Sequence, residues 1–194
     1  MVAARELSDK GAETRTLILD TAMELFATQG YLGTSVREVA ARCGLTHPAL
    51  IYHFPAKADL LMEVLRRRDD TEGREVHLDD LRGTEVLDHL VETARRNAGR
   101  RGIVELYATL SAEASTRAHP AHDYFVERYE GLRDRLTRAY AQAVEDGRMR
   151  AGIEPTVAAM QVIALMDGLQ VQWLLDPSVD MVGALAAHLA SQRA

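Results

Sequence analysis

Thr46, His47, Pro48 and Ala49 stand between Gly44-Leu45 and Leu50-Ile51-Tyr52-His53-Phe54-Pro55. A hydroxyl, an imidazole and a proline in that order can open a helix, with Thr46 as N-cap and Pro48 in the first turn. Pro55 stops the helix after Phe54. Gly44 permits a sharp turn before it, which Leu45 plugs. Upstream, Ser35 followed three residues later by Glu38 is a capping box, and Val36, Val39, Ala40 and Cys43 form the apolar stripe of another short helix. Two short helices joined by a three-to-four-residue turn with glycine make a helix-turn-helix. Its size allows one kind of chemistry. The major groove of B-DNA is about 12 Å wide and admits a single helix, whose N-terminal residues then meet base edges.

Other chemistry finds less support. His119, His122 and Asp123 are metal-ligand types, but they flank the helix-breaking Pro120 with no cysteine nearby, so a loop followed by a helix start is the stronger reading. Gly-x-Ser-x-Gly, His-Glu-x-x-His and Gly-rich phosphate loops are absent from the sequence, so catalytic residues, metal and cofactor are all expected to be none. Cys43, the one cysteine, lies on an apolar stripe and reads as a small core residue.

The elements that must position the helix-turn-helix are helical throughout, because apolar residues recur at helical rather than strand spacing. A first helix is expected over about Thr14–Gln29, with Ile18, Ala22, Leu25 and Phe26 inward and Gly30 as its C-terminal cap. Helix four is expected from Lys57 to Glu75. Its Arg66-Arg67-Arg68 run followed by Asp69-Asp70 reads as a solvated, self-paired surface. A loop spans Asp79 to Gly83, and helix five starts near Thr84. Helix six is expected over Ile103–Arg117, helix seven over Ala121–Asp146, helix eight over Thr156–Leu175 and helix nine over Val179–Gln192. The fold class is therefore all-α: an N-terminal helix-turn-helix domain over 1–58 and a C-terminal helical bundle over 59–194, about nine helices in all.

Composition and charge fit that division. A hydrophobic content of 47% excludes a disordered chain. Residues 1–58 balance six Lys and Arg against six Asp and Glu, so the net charge of −6 falls wholly on 59–194. A neutral front and an acidic back suit a protein that presents one end to DNA. No uninterrupted apolar run approaches the roughly 18 residues of a membrane helix, and Met1–Glu6 lacks the apolar centre of a signal peptide. A cytoplasmic protein with no membrane partner is expected.

The segments Gly30-Tyr31, Thr34–Ala40, Gly44–Thr46 and Leu50–Leu60 together resemble the DNA-binding domain of the tetracycline-repressor (TetR) family, over about residues 10–60. The resemblance implies a dimeric regulator, usually a repressor, that is released from a palindromic operator in double-stranded DNA by a small-molecule effector. It also implies roles. Arg37 matches a second-helix position that reaches a base or phosphate. Thr46, His47, Pro48 and Ala49 match the start of the recognition helix, with Tyr52 and His53 farther along, and Lys57 matches a phosphate-binding lysine. One position departs from the family. Ile51 stands where members commonly carry a tyrosine that contacts the DNA backbone, and Tyr52 follows it.

The C-terminal half supplies two further expectations. Helices eight and nine are apolar on several sides, which suggests a homodimer interface that includes Gly168 and Trp173. Leu65, Leu90, Tyr107, Ser111 and Gln170 lie on or beside inward stripes and are candidate ligand-binding residues. The guest is expected to be lipophilic and weakly charged at most, because no buried ion-pairing cluster is evident. Two readings from other classes remain: a helix-turn-helix protein that holds a protein partner, and an all-α enzyme in the C-terminal half.

Overall fold

In the computed structural model, residues 2–75 and 80–194 are described, with side chains for 11–69 and 80–194. Asp79, where a loop was expected to open, lies outside the described residues, as does the Asp70 side chain. Nine helices appear among the described residues: α1 (Val2–Gly33), α2 (Val36–Arg42), α3 (His47–His53), α4 (Lys57–Glu75), α5 (Thr84–Ala98), α6 (Arg101–Glu113), α7 (His122–Glu145), α8 (Pro155–Leu175) and α9 (Met181–Gln192).

The chain divides into two compact units, Met1–Glu72 and Gly73–Ala194. The division falls later than residue 58 because the first turns of α4 belong to the first unit. Leu60, Leu61, Val64 and Leu65 are buried there with Ile18, Leu25 and Phe26 of α1. Two ion pairs tie the same turns to α1, Arg15 to Glu63 at 3.0 Å and Arg67 to Asp20 at 2.9 Å. Arg67 also donates to the Thr16 carbonyl at 3.1 Å. The arginine run is thus not wholly self-paired: Arg68 reaches Asp69 at 3.6 Å, but Arg67 crosses to another helix.

α1 begins well before Thr14. The segment Val2–Leu7 consists largely of good helix formers, although its apolar period starts only at Ile18. Gly30 breaks it with a φ of 75°, a left-handed value that a side chain would oppose. The Thr34 hydroxyl closes the break by donating to the Gly30 carbonyl at 2.9 Å.

In the second unit α7 packs along α8, α5 lies against α7 and α9, and α6 lies against α8. Leu87, Leu136, Tyr140, Val162 and Leu185 form the centre of the core. Tyr140 donates to Gln192 Oε1 at 2.6 Å, both side chains being buried, and this pins the end of α9 to α7. α6 stops at Glu113 rather than Arg117. The Ala114 carbonyl is hydrogen-bonded to His122 Nδ1 at 2.7 Å, and His119 Nδ1 accepts from the Ala121 amide at 3.2 Å. The two histidines therefore shape the turn between α6 and α7. α8 is by length and composition apolar enough to cross a membrane, contrary to the reading of uninterrupted runs, since scattered Gln, Asp and Gly do not lower its average far. Core helices of folded domains pass the same test.

Candidate nucleic-acid interface and ligand site

The helix-turn-helix is set by local hydrogen bonds that its residue types dictate. The Ser35 hydroxyl accepts from the Glu38 amide at 3.1 Å. The reciprocal half of a capping box is replaced, because the Glu38 carboxylate accepts from Gln29 Nε2 at 2.9 Å and so ties α2 to α1. Gly44 turns with a φ of 67°, and its neighbour Leu45 is half-buried. The Thr46 hydroxyl accepts from the Ala49 amide at 3.3 Å and starts α3. Val39, Ala40, Leu50 and Phe54 are buried beneath the two helices, which fixes how far α3 stands out.

The outer surface of that unit then follows. Thr46, His47 and Pro48 are exposed at the start of α3, Ala49 is half-buried, and Arg37 is exposed on α2. The departure at position 51 has a structural answer. Ile51 is half-buried, while Tyr52 is 85% exposed, so the phenol next along is the one held outward. His53 is half-buried, with the Tyr52 ring edge-on at 5.4 Å and its own carbonyl accepting from Arg15 at 3.4 Å. At the start of α4 the Lys57 ammonium lies 4.2 Å from the centre of the Tyr31 ring, a cation–π contact. Partial burial pushes the Lys57 pKa down and the Tyr31 pKa up. Tyr31 is the residue that spacing alone missed. Its signal was the Gly30-Tyr31 pair, since the left-handed glycine turns the chain so that Tyr31 reaches Lys57.

The proposed ligand residues fall in both units. Leu65 is fully buried and belongs to Met1–Glu72. The other four belong to Gly73–Ala194: Leu90 partly buried on α5, Tyr107 buried and Ser111 half-buried on α6, and Gln170 half-buried on α8. Tyr107 and Ser111 join a cluster that spacing did not single out. The Tyr107 and Tyr124 hydroxyls are 3.2 Å apart. Tyr129 donates to Asp167 Oδ2 at 2.8 Å, and the Ser111 hydroxyl also hydrogen-bonds to Tyr129. Burial raises the Asp167 carboxyl above its ordinary range, while the Tyr129 hydrogen bond and the Arg128 charge pull it down. Burial and the Asp167 charge push Tyr129 up to about 12. Asp167 is thus a half-buried carboxylate held by a tyrosine. Asp167 is the one charged residue in the 21 residues of α8, and that isolation was the readable signal.

The two interface residues also part company. Trp173 is only 9% exposed in the single chain and packs in its own core, with the Arg101 guanidinium 5.7 Å from its ring centre. Gly168 is half-buried, and a Cβ built on it would meet nothing within 4 Å.

Residues 18–64 match the profile of bacterial regulatory proteins of the tetR family, and residues 83–194 match the C-terminal part of BetI-type transcriptional repressors. The chain belongs to the TetR family. It is 28% identical to the transcriptional regulator AcrR of Shigella flexneri over 90% of this chain and 84% of that protein. It is 28% identical to TtgR of Pseudomonas putida over 92% and 89% respectively. Among solved structures, a transcriptional regulator from Saccharomonospora viridis in complex with choline superposes with a TM-score of 0.71 at 25% identity, covering 93% of this chain and 95% of that one. SmeT of Stenotrophomonas maltophilia in complex with triclosan shares the fold, with a TM-score of 0.76 at 22% identity over 94% and 92%. This TetR-family protein is a DNA-binding transcriptional regulator, as its relatives are.

Proposed function

We propose that this regulator acts in the cytoplasm as a homodimer on a near-palindromic duplex, by binding and not by catalysis. The observation that carries the dimer is a stripe along α8. Val157, Met160, Ala164, Gly168, Val171 and Leu175 recur at three- and four-residue steps and so share one face. Met160 is 47% exposed, Val171 48% and Leu175 83%, although all are apolar. The stripe spans about 27 Å at 1.5 Å per residue, and Ala184 and Ala187 are exposed on the neighbouring α9. An apolar face of that length favours a second copy, whose two-fold symmetry would be mirrored in the operator.

On the duplex, His47 with Thr46, Pro48 and Ala49 would meet base edges. Arg37, Tyr52, Tyr31 and Lys57 would hold phosphates, and His53 would support the helix from beneath. The effector would bind in the Gly73–Ala194 unit, where Tyr107, Ser111 and Gln170 bring polar atoms to an apolar core, and would favour the conformation that releases DNA. The Saccharomonospora viridis relative, with its choline, supports a small-molecule guest for this unit.

Selection of bound duplexes from a random pool tests the reading. Enriched sites should carry inverted half-sites about one helical turn, roughly 34 Å, apart or a small multiple of that. A single half-site bound as tightly as the palindrome would overturn the dimeric mode.

A further inference from the structure

The helix α3 does not close its own C-terminal end. A helix leaves its last carbonyls without amide partners, and a left-handed glycine is the usual local remedy. α2 has that remedy: Gly44 turns with a φ of 67°, and the Gly44 and Leu45 amides donate to the Ala41 and Ala40 carbonyls at 3.1 and 2.9 Å. α3 lacks it. The chain leaves α3 through Phe54, whose backbone is extended (φ −139°, ψ 95°), and Pro55 then brings no N–H at all. Leu50 is the one fully buried residue within α3, so apolar packing of the helix itself gives few points of hold.

The missing partner comes from α1, 38 residues away along the chain. One Arg15 guanidinium nitrogen donates to the His53 carbonyl at 3.4 Å, and the other reaches Glu63 Oε1 of α4 at 3.0 Å. The guanidinium carbon lies 4.4 Å from the centre of the Phe54 ring. A planar fork can make these three contacts at once, two along its edge and one through its face, whereas an ammonium is a point charge. With 41% of the Arg15 side chain and 37% of Glu63 exposed, the ion pair itself adds little energy. Its consequence is geometric. Glu63 fixes the fork, and the fork fixes His53 and Phe54, where α3 ends.

We infer that Arg15 is a positioning residue for base reading, which sets the angle of α3 against a duplex without touching the DNA itself. The inference rests on the reading above in which His47, at the other end of α3, meets base edges. α3 spans about 10 Å at 1.5 Å per residue, so slack at His53 is carried to His47. Base-edge hydrogen bonds carry the sequence information and need close geometry, whereas attraction to phosphates is shared by all sequences. Loss of Arg15 therefore costs discrimination between sequences and spares the affinity common to them.

The test uses the full chain with two duplexes of equal length, one enriched from a random pool by the wild type and one a scramble of it. Arg15→Ala should lower the ratio of the two affinities about tenfold or more, with the salt slope of scramble binding unchanged. Arg15→Lys, which keeps the charge but not the fork, should lose most of the ratio as well. Far-UV circular dichroism checks that each variant keeps its helix. Mere loss of stability would weaken both duplexes in proportion and leave the ratio intact, whereas a direct phosphate contact would reduce the salt slope by about 0.9. A wild-type ratio in either folded variant, or a reduced slope, would overturn the inference. A second measurement needs no DNA. His53-Phe54 is the one His-Phe step in the sequence, so a chain with labelled carbonyl carbon in histidine and labelled nitrogen in phenylalanine gives a single carbonyl–amide correlation by NMR. That peak should move upfield in Arg15→Ala as the His53 carbonyl loses its hydrogen bond, and an unmoved peak would also overturn the inference. A wild type that enriches no duplex overturns the base-reading role of α3 itself, and the positioning role with it. An enriched duplex with an unchanged ratio overturns the part of Arg15 alone.

Discussion

The Lys57 ammonium sits 4.2 Å from the centre of the Tyr31 ring, joining the turn after Gly30 to the first turn of α4. The contact aims the lysine while leaving its charge partly exposed to a phosphate. Lys57→Ala should weaken binding to every duplex alike and reduce the slope of log K against log salt by about 0.9, the share of one phosphate. Tyr31→Ala should weaken binding in the same sequence-independent way by loosening the lysine. Binding isotherms over a salt series read both, and a sequence-dependent loss in either variant would remove it from the backbone contacts.

His47 is exposed at the first residue of α3, where the helix start would meet base edges. His47→Ala should change preference at one base position by about 1–3 kcal/mol and leave the salt slope as it was. Tyr52→Phe should behave oppositely, with affinity down across all sequences, because Tyr52 stands exposed where Ile51 cannot serve. Repeating the duplex selection with each variant distinguishes the two. A His47→Ala logo identical to the wild type would exclude His47 as a reader.

Gly168 and Trp173 should respond differently to substitution. A side chain at Gly168 meets open space within its own chain, so Gly168→Arg should fold normally and break the dimer, because a buried unpaired charge is expensive at an apolar interface. Trp173 fills its own core, so Trp173→Ala should cost about 3–5 kcal/mol of stability by leaving a cavity. Sedimentation velocity and thermal unfolding measure the pair. A dimer that survives Gly168→Arg moves the interface off this face of α8.

Asp167 should leave a mark on the pH dependence of stability. Its folded carboxyl lies above the ordinary value of 3.8, mainly through burial, so ionisation is less favourable folded than unfolded. The ionised group therefore opposes folding above its folded pKa. That opposition fades as pH falls through the folded pKa toward 3.8. Asp167→Asn should accordingly be more stable than the wild type at pH 8, with the gap closing in acid. Melting curves at the two ends of that range are the check, and a gap that widens in acid would contradict the burial of Asp167. The Tyr129 phenol, pushed up to about 12, should titrate late in the ultraviolet spectrum of the wild type.

The helix-turn-helix was legible from residues 35 to 55 because its determinants are local. A capping serine and threonine, a left-handed glycine and two prolines each act within three or four residues, and they fall where the structure uses them. Family membership was readable for the same reason. Three features were not local, and only the tertiary structure decided them. The first unit runs to Glu72, and within it Arg67 reaches back to Asp20, a partner that helical periodicity does not specify. Trp173 and Met160 are both apolar residues of one helix, and only the packing of α8 among its neighbours turns the first inward and leaves the second out. Asp167 stood alone in an apolar sequence, but its meaning came from Tyr129, 38 residues away on α7. A chain writes short-range hydrogen bonds into adjacent letters, whereas the burial of a charge depends on which distant side chains fold around it.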